Sequence, residues 1–273
     1  MANFHVIAGA DGAAAYPDVR AIEIGDLYDC LRAGWRDFMA KPSHVVFIVI
    51  MYPLIGVVLA AWTSGANALP MLFPLASGFA LLGPFAAIGL YEISRRRELG
   101  MDTSWWHAFA LRRSPALPSI AAVGAMLFVI FIAWLLVAQS LYTGLLGPQP
   151  PASLEAFVTQ LFSTSEGWTL VAAGNFIGFI FAVVVLSTTV VAFPLLVDRD
   201  IGAWAAIATS ARAVLVNPGP MLAWGFIVAL LLALGSLPLF AGLIVVIPVL
   251  GHATWHLYRK VVVDGPPRRS TQQ

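Results

Sequence analysis

Residues 219–258 read GPMLAWGFIVALLLALGSLPLFAGLIVVIPVLGHATWHLY, a run without a single Asp, Glu, Lys or Arg. As one helix, rising about 1.5 Å per residue, it would be about twice as long as a hydrocarbon core of roughly 30 Å requires. Gly235-Ser236-Leu237-Pro238 stands at its middle, and glycine and proline at such a point mark a turn. The stretch therefore predicts a tight hairpin of two membrane spans, at about 219–236 and 238–258.

Further apolar stretches of spanning length lie at about 44–63, 70–92, 118–142 and 168–196. In lipid every backbone amide must find its partner inside the segment, so these are helices. The expected fold is all-α: a polytopic transmembrane bundle of six spans, forming one membrane domain over 21–262 between short disordered cytoplasmic tails, 1–20 and 263–273. Composition agrees. Hydrophobic residues make up 60% of the chain and charged residues 11%, against about 45–50% and about 25% in soluble domains. Cys30 is the only cysteine, which excludes an internal disulfide and any Cys-rich zinc or iron–sulfur site held by this chain alone. The first 20 residues lack the basic start and apolar core of a cleavable signal, so insertion is expected to fall to the first span.

The 15 Lys and Arg segregate completely on this map. Arg20, Arg32, Arg36 and Lys41 precede the first span; Arg95, Arg96, Arg97, Arg112 and Arg113 lie between the second and third. Arg199 and Arg212 lie between the fourth and fifth, and Arg259, Lys260, Arg268 and Arg269 follow the sixth. By the positive-inside rule both termini and both longer loops are expected to be cytoplasmic.

A short amphipathic helix ending at proline precedes each odd-numbered span. The first sets Leu27, Cys30, Leu31, Trp35, Phe38 and Met39 against Asp29, Arg32, Arg36 and Asp37, and stops at Lys41-Pro42. The second runs from Asp102 or Thr103 through Trp105 and Trp106 to Ser114-Pro115; the third runs from Asp200 through Trp204 to Asn217-Pro218. Tryptophan and arginine together suit the headgroup layer. Trp35, Arg36, Arg95, Arg96, Arg97, Trp105, Trp106, Trp204, Arg259 and Lys260 are thus the expected interfacial residues, facing the bilayer and its anionic headgroups. Three units of surface helix plus hairpin form a pseudo-threefold repeat; convergent architecture remains the other explanation. On the opposite side, Leu154, Phe157, Val158, Leu161 and Phe162 fall at helical spacing behind a capping Ser153, which predicts a further surface helix serving as a lipid-resting lid or a docking site.

No span carries a charged residue near its middle, which argues against an ion-coupled or proton-coupled transporter. Asn175 and Ser187-Thr188-Thr189 are the central polar groups, suited to helix-to-helix hydrogen bonds. His252 and His256 stand four apart and share a helix face, a spacing able to hold one metal or haem, although their level beside Arg259 and Lys260 equally suits an interfacial belt. His44 and His107 lie at the same level. Pro84, Pro194 and Pro248 fall in the cytoplasmic halves of even-numbered spans, where they bend the helix or open a cavity. No nucleotide-binding glycine loop, hydrolase elbow or zinc-protease helix occurs, so no enzyme activity, catalytic residue or cofactor is expected.

Leu196-Val197-Asp198-Arg199-Asp200, Ala211-Arg212-Ala213-Val214, Asn217-Pro218-Gly219-Pro220-Met221 and the segment Pro248 to Arg259 resemble a bacterial integral-membrane family, domain of unknown function 2189. Asp26-Leu27 and the segment Leu31 to Phe38 resemble its start, so the resemblance spans about 20–260. Some members carry the label of a cytochrome c oxidase subunit. Too few spans, and histidines at the interface rather than deep in the bilayer, speak against that label in its catalytic sense. The resemblance implies association with a respiratory complex instead. The expected function is that of a non-enzymatic accessory, scaffold or assembly protein, with a transporter or channel for an apolar or lipid-like solute as the alternative. Nucleic acid is not an expected partner.

Overall fold

A computed structural model describes residues 16–40, 70–104, 114–238 and 241–263. The described residues form helices α1 (Ile24–Ala40), α2 (Leu72–Leu81), α3 (Gly83–Ala86), α4 (Ile88–Glu98), α5 (Leu117–Leu146), α6 (Leu154–Ser163), α7 (Ser165–Thr189), α8 (Ala192–Asp198), α9 (Ala203–Val216), α10 (Pro218–Ser236) and α11 (Leu243–Val261). No strand occurs among them; Val19 and Val262 form an isolated antiparallel bridge.

Among the described residues, three stretches are long and apolar enough to cross a membrane: Leu117–Leu146, Ser165–Asp198 and Pro218–Ser236. The first span expected from sequence, 44–63, and the core of the second surface helix, with Trp105 and Trp106, lie outside the described residues. The run 70–92, expected as one span, is divided into α2, α3 and α4. Pro84 supplies the reason: it has no amide hydrogen to donate, and its ring crowds the carbonyl four residues back. Pro194 acts alike between α7 and α8. In contrast, Pro248 is accommodated inside an unbroken α11.

By internal packing the chain divides into two units, 1–43 with 84–124 and 186–273, and 44–83 with 125–185. Within the second unit, Trp134 of α5 is buried, donates its indole N–H to the Pro74 carbonyl at 2.9 Å, and packs on Phe181 with ring centroids 5.6 Å apart. The helix expected in the loop after α5 is present as α6, and the Ser153 hydroxyl accepts from Ala156 N at 3.1 Å, satisfying one of the amides that a helix start leaves unpaired. Asn175 donates to the Val171 carbonyl of its own helix at 2.8 Å.

The first unit is organised on α11, against which α1, α4, α8 and α10 pack. Gly34 makes the α1 contact possible: a β-carbon there would lie 2.6 Å from Ala253 N and 2.7 Å from the Val249 carbonyl oxygen. Backbone thus meets backbone at the crossing. Two further glycines close the turn between α10 and α11, since a β-carbon on Gly242 would lie 2.8 Å from both the Cα and the carbonyl oxygen of Gly235; of the two spans expected here, only Pro218–Ser236 is among the stretches long and apolar enough to cross.

Pro218 ends α9 by excluding helical geometry at the preceding residue, and Asn217 accordingly has φ −125° and ψ 52°. Its buried side chain accepts from Ile22 N at 2.8 Å and donates to the carbonyls of Arg20 and Ala213, each at 3.1 Å. With Arg20 N bonded to the Val261 carbonyl and Val263 N to that of Asp18, both at 2.9 Å, these bonds hold the segment before α1 to the end of α11.

Candidate functional site

α1 buries Leu27, Cys30, Gly34, Asp37 and Phe38, a stripe at helical spacing that contains a carboxylate. The sequence division of this helix put Asp37 on the polar side, and Trp35 and Met39 on the apolar side. The structure reverses these assignments: Asp37 is 6% exposed, Trp35 47% and Met39 59%. The close approach at Gly34 turns that stripe onto α11, and partners on α4 and α11 make burial of Asp37 tolerable.

Ser94 of α4 donates its hydroxyl to Asp37 Oδ2 at 2.6 Å, and His256 Nε2 lies 2.9 Å from the same oxygen. Arg97 pairs with Asp37 Oδ1 at 3.1 Å and also donates to the Arg36 carbonyl at 2.7 Å. His252, fully buried, places Nδ1 2.8 Å from Ser94 Oγ. The serine proton is committed to an ionised carboxylate, so Nδ1 must carry the hydrogen and donate it to Oγ. That leaves Nε2 of His252 buried and without a hydrogen-bond partner. Burial alone would raise the Asp37 pKa, but hydrogen bonds from His256 and Ser94, with the charge of the two imidazoles, hold it below the ordinary carboxyl value.

A belt of ion pairs surrounds this cluster. Glu92, also buried, accepts from Arg96 Nε at 2.7 Å and pairs with Arg95 at 3.2 Å. Asp198, the last residue of α8, accepts the Tyr258 hydroxyl at 2.6 Å and lies 3.5 Å from Arg95 Nε. Glu98 takes Arg259 Nε at 2.9 Å and the Trp255 indole N–H at 3.0 Å. Lys260 reaches Asp26 at 2.6 Å and Asp29 at 2.9 Å; these bonds hold the Lys260 pKa above its ordinary value, while those from Lys260 and the Glu23 amide hold that of Asp26 below. The Asp26–Glu23 bond is half of a capping box at the start of α1. Cys30 is sealed beneath α1, and burial pushes its thiol up to about 12, which makes it unreactive.

The expected interfacial residues thus fall into two groups. Trp35, Arg36 and Trp204 are exposed. Arg95, Arg96, Arg259 and Lys260 are half-buried and tied to carboxylates, and Arg97 is exposed yet bound to Asp37. The histidine pair is drawn into a hydrogen-bonded cluster, with one nitrogen of each ring engaged, and His252 lies inside the protein rather than at a lipid interface. Among the described residues no group of three or more His, Cys, Asp or Glu is placed to hold a metal ion.

Ser94, Glu92 and Glu98 were not singled out in the sequence; Asp37 stood there only on the polar side of its helix, and Asp198 only within the family resemblance. Steps of three and four residues from Leu27 through Cys30 and Gly34 do reach Asp37, so its burial was available from helical periodicity. Ser94 had no such signal, because its partners are 57 and 158 residues away.

The family model described as a predicted integral membrane protein (DUF2189) matches residues 72–198. Over those residues the chain is similar to that family. The match covers α2 to α8, including Glu92, Ser94 and Asp198; most residues that carried the resemblance in sequence, on α1 and after Asp198, lie beyond it. No curated protein and no solved structure matches the chain. It is an integral membrane protein with apolar helices of spanning length.

Proposed function

We propose that this protein is a non-enzymatic accessory, scaffold or assembly protein of the bacterial inner membrane, and that it associates with a membrane complex of the respiratory-oxidase class. The observation that carries this reading is the pairing of the carboxylates between helices of the first unit. Asp37 of α1 meets Arg97 of α4, Glu98 of α4 meets Arg259 of α11 and Asp198 of α8 meets Arg95 of α4, which binds these helices into one block, while Glu92 is neutralised within α4 by Arg96. Neutralised carboxylates suit a static platform better than a carrier, which needs a charged or polar group open to a passage. The reading includes no catalytic residue, metal or haem.

The proposed topology is six spans with both termini cytoplasmic, the basic face inward, and three surface helices in the headgroup layer, each followed by a hairpin. Helices α1 and α9 would be the first and third of these. A reporter fused after Gln273 is expected to be active only on the cytoplasmic side, and periplasmic activity would overturn the even span count.

A transporter or channel for an apolar or lipid-like solute is the second reading. It is favoured by the helix interruptions around Leu82, Ala87 and Val190, since broken helices are a transporter feature. One preparation separates the two. Isolated from its own membranes in mild detergent, the protein is expected to co-migrate with a reproducible membrane-protein partner identified by mass spectrometry. A lone monomer whose liposomes pass an apolar solute faster than empty vesicles would replace the scaffold by the transporter.

A further inference from the structure

A groove of about 450 Å³ lies between one face of α1 and the last two turns of α11. Its α1 wall carries Asp29, Arg32 and Arg36; its α11 wall carries His256, Arg259 and Lys260. Most of this charge is already matched. Lys260 is held by Asp26 and Asp29, Arg259 by Glu98, and His256 by Asp37. Arg259 and Lys260 also stand in the last turn of α11, where cations balance the negative end of the helix dipole. Arg32 and Arg36 differ. Both are exposed, and among the described residues neither guanidinium has an ion-pair or hydrogen-bond partner. Four residues apart, they stand one turn from each other on the same helix face. The groove therefore holds two guanidinium groups without an ion-pair partner among the described residues, each a planar fork suited to bidentate oxygen acceptors.

We infer that this groove binds a phosphate group, with Arg32 and Arg36 as its two ligands. A phosphomonoester carries between about 1.5 and 2 negative charges at neutral pH and offers three acceptor oxygens, enough to engage both guanidinium forks. A phosphodiester carries one charge and offers two free oxygens, so it is the poorer match for two forks. The phosphate can belong to a lipid whose headgroup is a monoester or to a soluble anion; the chemistry at the arginines is the same. The inference is independent of the proposed scaffold role, because its test uses the purified chain without any partner.

The test titrates the full chain, in neutral detergent, with a short-chain lipid phosphomonoester, a short-chain anionic lipid phosphodiester and inorganic phosphate, reading affinity by thermophoresis. The monoester lipid is expected to bind more tightly than the diester. The double variant Arg32→Gln/Arg36→Gln is expected to weaken it by about tenfold or more, as loss of charge-assisted hydrogen bonds implies. Arg32→Lys/Arg36→Lys keeps the charge and is expected to lose less. Because these side chains have no partners among the described residues, both variants are expected to unfold thermally like the parent. Inorganic phosphate binding as tightly as the lipid would assign the site to a soluble anion, and weaker binding would assign it to the lipid. Unchanged monoester affinity in Arg32→Gln/Arg36→Gln would overturn the site. Equal loss in Arg112→Gln/Arg113→Gln would also overturn it, by reducing the effect to bulk charge.

Discussion

Replacing Gly34 with leucine is expected to release α1 from α11 and to destabilise the first unit by about 3 kcal/mol or more, at the upper end of overpacking costs. The reason is the chemical nature of the neighbours. A side chain at Gly34 would run into Ala253 N and the Val249 carbonyl, which are backbone atoms of another helix and cannot rotate away. Alanine at the same position gains about 1 kcal/mol of helix propensity over glycine, so its net effect is smaller and follows the same direction. Limited trypsin digestion reads the outcome, because α1 carries Arg32 and Arg36, and cleavage after them accelerates once the helix is undocked. Digestion of Gly34→Leu at the parent's rate would mean that the α1–α11 crossing is not built on this glycine.

Removal of the Asp37 carboxylate is expected to have an effect of similar size. Asp37→Ala leaves Arg97, His256 and Ser94 without their common acceptor, and breaking a buried charged pair in this way costs about 3–5 kcal/mol. Asp37→Asn retains the volume and one acceptor oxygen, so a loss of roughly half that is expected. The pH dependence follows from the lowered pKa of Asp37. A carboxyl whose folded pKa lies below its unfolded value of about 3.9 contributes fully above that value, and the contribution disappears as pH falls through the folded pKa. The parent should therefore lose more thermal stability than Asp37→Asn when the detergent-solubilised protein is taken from neutral pH to about pH 3. Parallel losses in the two proteins would remove Asp37 from the acid response.

These residues also mark where sequence and structure part. The turn at Gly235–Pro238, the helix behind Ser153 and the helix ending at Asn217-Pro218 were all legible, because each is set by local chemistry: a glycine and proline break, a capping hydroxyl, a proline ring. The division of 70–92 into three helices had its cause in view at Pro84, yet hydropathy alone registered only a continuous apolar run. The histidine pair shows the opposite case. Spacing put His252 and His256 on one face, but only packing drew them onto Ser94 and Asp37.

By itself, then, the sequence determined the class of molecule: a membrane protein with apolar helices of spanning length. Such features depend on composition and on periodicity along a single segment, which requires no knowledge of neighbours. The tertiary structure decided which charges are used up inside the protein and which stay open. Asp37 became a buried acceptor, and Arg95, Arg96, Arg259 and Lys260 became internal counter-ions, while Arg32 and Arg36 were left facing the groove. The difference arises because a side chain's charge is written in the sequence, whereas the partner that neutralises it is fixed only when helices far apart in the chain are brought within a hydrogen bond of each other.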